Sequence, residues 1–128
     1  MTEGLEAITT VALSLALDAA SLRQQAHAAN IANATTEGFV PLRVSFEAQL
    51  EDARSMLRAQ GRIDAGVLEG VAPSMQLAEP DARGILPKVQ LDLEMAGMAQ
   101  NAAHYQTLLK ALSKHYALLA AAVSDGKK

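Results

Sequence analysis

The stretch VQLDLEMAGMAQNAAHYQTLLKALSKHYALLAAAV, residues 89–123, decides the fold class. In it Leu91, Met95, Met98, Ala102, Tyr105, Leu109, Leu112, Tyr116, Leu119 and Val123 recur in unbroken steps of four and three. A rhythm sustained for more than about four heptads marks a helix that presents one apolar seam to another helix. Asp92 and Glu94 fall in its first turn, and Lys127 and Lys128 follow its last, each the favourable sign for the helix dipole.

The other end of the chain supplies a partner. From Leu5 to about Asn33 the steps of three and four return in Leu5, Ile8, Ala12, Leu15, Ala19, Leu22, Ala26 and Ala29. Ile8, Leu15 and Leu22 alternate there with alanines, which leaves a shallow seam that a second helix can approach closely. This helix is expected to stop in Asn33-Ala34-Thr35-Thr36-Glu37-Gly38, with Pro41 just beyond, because Gly past a helix end and Pro soon after both oppose continuation. The fold expected is mainly α, with the two long terminal helices pairing as an antiparallel coiled coil within the chain or with equivalent helices of neighbours. The helix-pairing seam is Ile8, Leu15 and Leu22 on the first helix, and Leu91, Met95, Met98, Tyr105, Leu109, Leu112, Tyr116 and Leu119 on the second.

Between the helices, Gly61, Gly66, Gly70, Pro73, Pro80, Gly84 and Pro87 interrupt the chain too often for another long element. Phe46, Leu50, Ala53 and Leu57 predict one short middle helix ending near Gly61. Residues 62–88 are expected to be irregular, either holding brief extended pieces or lacking order in the free chain. The chain is read as one domain, with a helix and its stop over 1–37, a variable middle over 38–88 and the second helix over 89–128.

Composition agrees with a helical protein and argues against several functions. Half of the 128 residues are hydrophobic, yet only two Phe, two Tyr and no Trp are present, so the apolar content is mostly Ala, Leu, Val and Met. The formal net charge is -3 and the 11 basic residues are scattered, which speaks against nucleic acid. Absence of cysteine removes disulfides, thiolate metal sites and thiol nucleophiles together. The longest apolar stretches, Val11 to Leu17 and Tyr116 to Val123, fall short of the roughly 20 residues that cross a bilayer, so no membrane span is expected. Glu3 and Glu6 stand where a secretory signal would be basic, so if the chain leaves the cytoplasm it is expected to do so without a cleaved signal peptide.

No catalytic constellation is visible. His27, His104 and His115 stand apart from one another and from any H-E-x-x-H pattern, so they read as solvated or helix-face histidines and no metal is expected. Glu47, Glu51 and Asp52 read as a solvated face, and Asp92 with Glu94 as a helix start. No serine lies in a G-x-S-x-G setting and no glycine-rich phosphate loop occurs. The expectation is a protein that is not an enzyme and takes no cofactor. Asn33-Ala34-Thr35 fits the glycosylation acceptor pattern but reads as a helix end. Asn30 and Asn33, one turn apart where the helix must stop, suit capping, with contact to a neighbouring subunit as the alternative use.

The segment Ala29-Asn30-Ile31-Ala32-Asn33-Ala34-Thr35-Thr36-Glu37-Gly38-Phe39 resembles the signature of the flagellar rod, hook and hook-associated proteins. In that family two Asn, a Thr, a Gly and an aromatic follow a long amphipathic helix. Val44-Ser45-Phe46 is similar to the lead into the middle helix of FlgB-type proximal rod proteins. Val89-Gln90-Leu91-Asp92-Leu93-Glu94-Met95, with Asn101 and Tyr105-Gln106, resembles their C-terminal run. There are departures: Glu37 stands where Pro is usual, Val40-Pro41 replaces a basic residue, and Gln90 replaces an Asp. Length and the lack of an extended middle insertion favour the FlgB type over the FlgC type, which is the alternative within the family.

The resemblance implies an exported structural subunit of the basal-body rod in the periplasm, with Asn30, Asn33, Thr36, Gly38 and Phe39 as an assembly motif. It implies terminal helices that form the inner tube of the rod. The implied partners are other rod subunits of the FlgC type, a FliE-like adaptor, membrane-ring and export-gate proteins, and further copies of the chain. The rival expectation, from another class, is a free-standing cytoplasmic helical-hairpin adaptor in which the Asn-Gly-Phe match is fortuitous.

Overall fold

The computed structural model describes residues 2–63 and 65–127; the side chains of Thr2, Glu3, Leu5 and Glu47, and all of Met1, Asp64 and Lys128, lie outside the described residues. Mainly helical, the chain runs α1 (Thr2–Ala32), β1 (Leu42–Ser45), α2 (Glu47–Gln60), α3 (Ala65–Glu69), β2 (Ser74–Leu77) and α4 (Leu91–Asp125). The two long terminal helices pack against each other, and α1 also touches α3 and both strands.

α1 ends as its local chemistry dictates. The Asn33 side-chain amide donates at 2.9 Å to the Ala29 carbonyl, which the Asn33 backbone N–H also reaches at 3.1 Å, and the Thr36 hydroxyl donates to Asn33 Oδ1 at 3.2 Å. Gly38 then turns the chain at φ 75°, a conformation that glycine adopts without a Cβ penalty. Pro41 is fully buried behind it. α2 ends in the same way, with Gly61 at φ 69° and its N–H donating to the Leu57 carbonyl at 2.8 Å.

The middle segment contains more regular structure than its Gly and Pro content suggests. α3 and β2 both lie within residues 62–88, and β2 pairs antiparallel with β1, Arg43 opposite Gln76 and Val44 opposite Met75. Neither strand carries a helical rhythm, and the partner of β1 lies about thirty residues away, so local pattern does not show the pairing.

The core is shallow. Its buried apolar residues are Ala19, Ala20 and Ala26 on α1, with Ala53, Leu68 and Val71 from the middle segment. Beside them, among the described residues, sit three buried polar side chains, Asn30, Glu94 and Asn101. A fully buried Leu or Val is worth about 1.5–3 kcal/mol, and a core made mostly of alanine forgoes most of that.

Candidate assembly interface

The motif residues do structural work inside the chain. Asn30 is 0% exposed, and both ends of its amide are used on the backbone of one residue: the Leu42 N–H donates to Oδ1 at 2.8 Å, and Nδ2 donates to the Leu42 carbonyl at 3.0 Å. The side chain thus stands in for a neighbouring strand and fixes where β1 starts relative to α1. Wholly buried, Asn30 spends its amide inside the chain, on Leu42 and on Glu94. Asn33 and Thr36 complete the helix stop, and half-buried Phe39 follows the Gly38 turn. A cleft of ≈ 360 Å³ lies between this turn and Leu86, Pro87, Lys88 and Val89, the residues that lead into α4.

At the other edge of the motif is an ionic cluster that joins three elements. Glu94, only 4% exposed, accepts from His27 Nδ1 at 2.7 Å and from Arg43 Nη1 at 2.9 Å. Burial by itself would raise the Glu94 carboxyl; hydrogen bonds from His27, Asn30 and Arg43, with the Arg43 charge, outweigh it and hold the group below its ordinary value of 4.5. Gly97 makes room for the imidazole: a Cβ there would stand 2.6 Å from His27 Cε1. His27 is therefore packed between α1 and α4, not on the solvated face expected for it, and Glu94 is a buried ion-pair partner as well as part of the helix start.

Further along the two helices, Asn101 Nδ2 donates to the Ala20 carbonyl at 2.7 Å and to Gln24 Oε1 at 2.8 Å. His115 Nε2 meets Thr10 Oγ1 at 3.2 Å. Glu94, Asn101 and His115 occupy one heptad position of α4. Met98, Tyr105, Leu112 and Leu119, all half-buried, occupy the other position of the seam that faces α1.

The remaining seam residues named from the sequence lie elsewhere. Leu91, Met95, Leu109 and Tyr116 are exposed, Met95 to 57% and Tyr116 to 52%. Met95, Leu109 and Tyr116, with Ala102, form a second apolar stripe one residue out of phase with Glu94, Asn101 and His115, whereas Leu91 continues the Met98–Leu119 position to the exposed start of the helix. On α1, Ile8, Leu15 and Leu22 are half-buried, and Ile8 borders a cleft lined by Met56, Ile63 and Val67 of the middle segment.

Sequence reasoning missed His27, Arg43, Gly97 and His115. The signal was present for His115, since steps of seven from Glu94 lead through Asn101 and Leu108 to it. No helix among the described residues is long and apolar enough to cross a membrane. Among the described residues no group of His, Asp and Glu is placed to hold a metal ion. No protein-family model matches the chain, and no curated protein matches it.

Proposed function

We propose that this chain is a structural subunit of the bacterial flagellar basal-body rod, of the FlgB type, that joins the membrane ring and export gate to the rest of the rod. In this reading its partners are FlgC-like rod subunits, a FliE-like adaptor and further copies of the chain. It acts in the periplasmic rod and carries out no catalysis.

The observation that carries the reading is the run Asn30, Asn33, Thr36, Gly38 and Phe39 at the end of a long helix, with a second long helix whose apolar stripe is left uncovered. A subunit destined for a helical tube needs such a stripe. Within the subunit, α1 and α4 pair as an antiparallel coiled coil. The order of contacts supports this, since Thr10, Ala20 and His27 meet His115, Asn101 and Glu94 in turn.

Two measurements test the proposal. Thr10→Cys with His115→Cys in one chain should be joined within the chain by a short bis-maleimide crosslinker, and absence of that product would refute the antiparallel pairing. A tagged chain should co-purify with basal bodies, and its deletion should abolish swimming; a motile deletion strain would refute the rod role. The second reading, a cytoplasmic helical-hairpin adaptor, is favoured by the internal use of Asn30 and Asn33, which any stable hairpin would need. Soluble cytoplasmic protein absent from basal bodies would select it.

A further inference from the structure

Two exposed strips lie on α1 and α4, and their repeats match. On α1 the exposed residues include Ala7, Ser14, Ser21 and Ala28, one in every seven and all small. On α4 the exposed stripe has Met95, Ala102, Leu109 and Tyr116, also one in every seven and three of them large. At about 100° per residue, each strip is roughly a quarter-turn from the seam of its own helix. Antiparallel pairing places the two offsets on the same side of the hairpin. The cleft of ≈ 260 Å³ between the helices agrees, because Ser21 and Ala102 both line it. Counted from the Ala20–Asn101 and His27–Glu94 contacts, Ala28 stands about level with Met95, Ser21 with Ala102 and Ser14 with Leu109.

We propose that this face is the interface of a two-fold homodimer, in which the Met95–Tyr116 stripe of one copy packs on the Ala7–Ala28 strip of its partner and closes a four-helix bundle. The inference rests on the antiparallel pairing proposed above. Three features select a second copy as the occupant. Both halves of the contact lie on one face, so a two-fold axis along the helices sets each α4 stripe over the other copy's α1 strip at the same level, as a self-complementary interface requires. Size is matched: small Ser14 and Ala28 meet large Leu109 and Met95, the ridge-and-groove relation that lets helices approach closely.

Charge is matched as well. Asp18 borders the α1 strip, Lys110 borders the α4 stripe, and neither has an ion-pair partner among the described residues. In the dimer both lie on the same outer edge. Ala99, Gln106 and Ser113 beside the stripe are uncharged, so no buried like-charge contact opposes the pairing. In the free subunit such a dimer covers the stripe that assembly later uses.

Sedimentation equilibrium and single-cysteine mixing of the intact chain test this. Wild-type protein should sediment at twice the chain mass of 13.5 kDa. Leu109→Glu, a change at an exposed position, should halve that mass while leaving the helical circular dichroism unchanged. The chain has no native cysteine, so Ser14→Cys and Leu109→Cys chains mixed under oxidation should give the mixed disulfide in clear excess over either homodimer. A wild-type monomer at the highest soluble concentration, an open series of larger oligomers, or a Leu109→Glu chain that stays dimeric overturns the proposal. A disulfide pattern without the mixed excess overturns it too. None of these readouts involves basal bodies or swimming, and the Thr10–His115 crosslink reports the pairing within the chain separately, so each reading fails by its own measurement.

Discussion

Asn30 and Leu42 are joined by two hydrogen bonds, of 2.8 and 3.0 Å, that engage both polar atoms of one peptide residue with both ends of one amide. Truncation in Asn30→Ala takes from the Leu42 N–H its Asn30 partner, at a cost of about 1–3 kcal/mol, while Arg43 Nη1 still donates to the Leu42 carbonyl at 3.0 Å. Asn30→Asp keeps the shape but loses the donor and brings a second carboxylate toward Glu94. Both variants should lower the urea midpoint clearly, whereas Gln25→Ala, exposed on the same helix, should barely move it. A wild-type midpoint for Asn30→Ala would show that the clamp does not hold β1 in place.

The Glu94 cluster should make stability depend on acid. Because its donors hold the folded carboxyl below the unfolded value of 4.5, the stabilisation is complete above that value and is lost as pH falls below it through the folded one. Glu94→Gln removes the charge and leaves the donors of His27 and Arg43 poorly matched; about 2 kcal/mol is expected at neutral pH, within the range for hydrogen bonds to charged groups. The stability difference between wild type and Glu94→Gln should shrink below pH 4.5, and a difference independent of pH would exclude an ionised Glu94 in the fold.

Gly97 and His27 should be coupled. In an exposed helix interior Gly→Ala gains about 1 kcal/mol, but here the added Cβ would meet the imidazole at 2.6 Å. Gly97→Ala is therefore expected to destabilise the protein, since the ring it displaces is the one bonded to Glu94. In the His27→Ala background the same change should stabilise. Equal effects in the two backgrounds, read from thermal melts, would show that the close approach carries no energy.

The Gly38 turn separates backbone strain from packing. A Cβ at Gly38 meets nothing within 4 Å, so Gly38→Val is strained by its φ of 75° alone, about 1–2 kcal/mol or more for a β-branched residue. Gly66, in α3, has equally open space and no positive φ. Gly38→Val should impair stability and swimming more than Gly66→Val, and equal behaviour of the two would remove the turn from the motif.

How far the sequence could be read depends on which residues carried the signal. The long helices and the Gly38 and Gly61 stops were legible because periodicity and left-handed glycines act locally. The seam register of α4 was legible only in part. Counting apolar residues alone runs through Met95, Ala102, Leu109 and Tyr116, while the position that meets α1 is filled by Glu94, Asn101, Leu108 and His115, three of them polar. Their partners His27, Gln24 and Thr10 lie on the other helix, so nothing near them in sequence shows that they are satisfied. Arg43 enters the cluster from β1, and the pairing of β1 with β2 is equally non-local.

The two classes of α4 position make a final contrast. Leu112 is half-buried in the seam that α1 covers, between the levels of Asn101 and His115, whereas Leu118 is 61% exposed on the opposite flank. A carboxylate at residue 112 must be desolvated against α1, where no described cation is placed to receive it, so the pairing of α1 with α4 pays the cost of its burial. Leu112→Glu is expected to lose amide protection along the C-terminal half of α4 and to abolish swimming, with the chain remaining soluble. Leu118→Glu should keep wild-type protection. If Leu112→Glu matches wild type in both amide exchange and motility, the covered seam of α4 has been misplaced; if Leu118→Glu loses protection as well, the helix makes a contact on its outer flank that the isolated chain does not show.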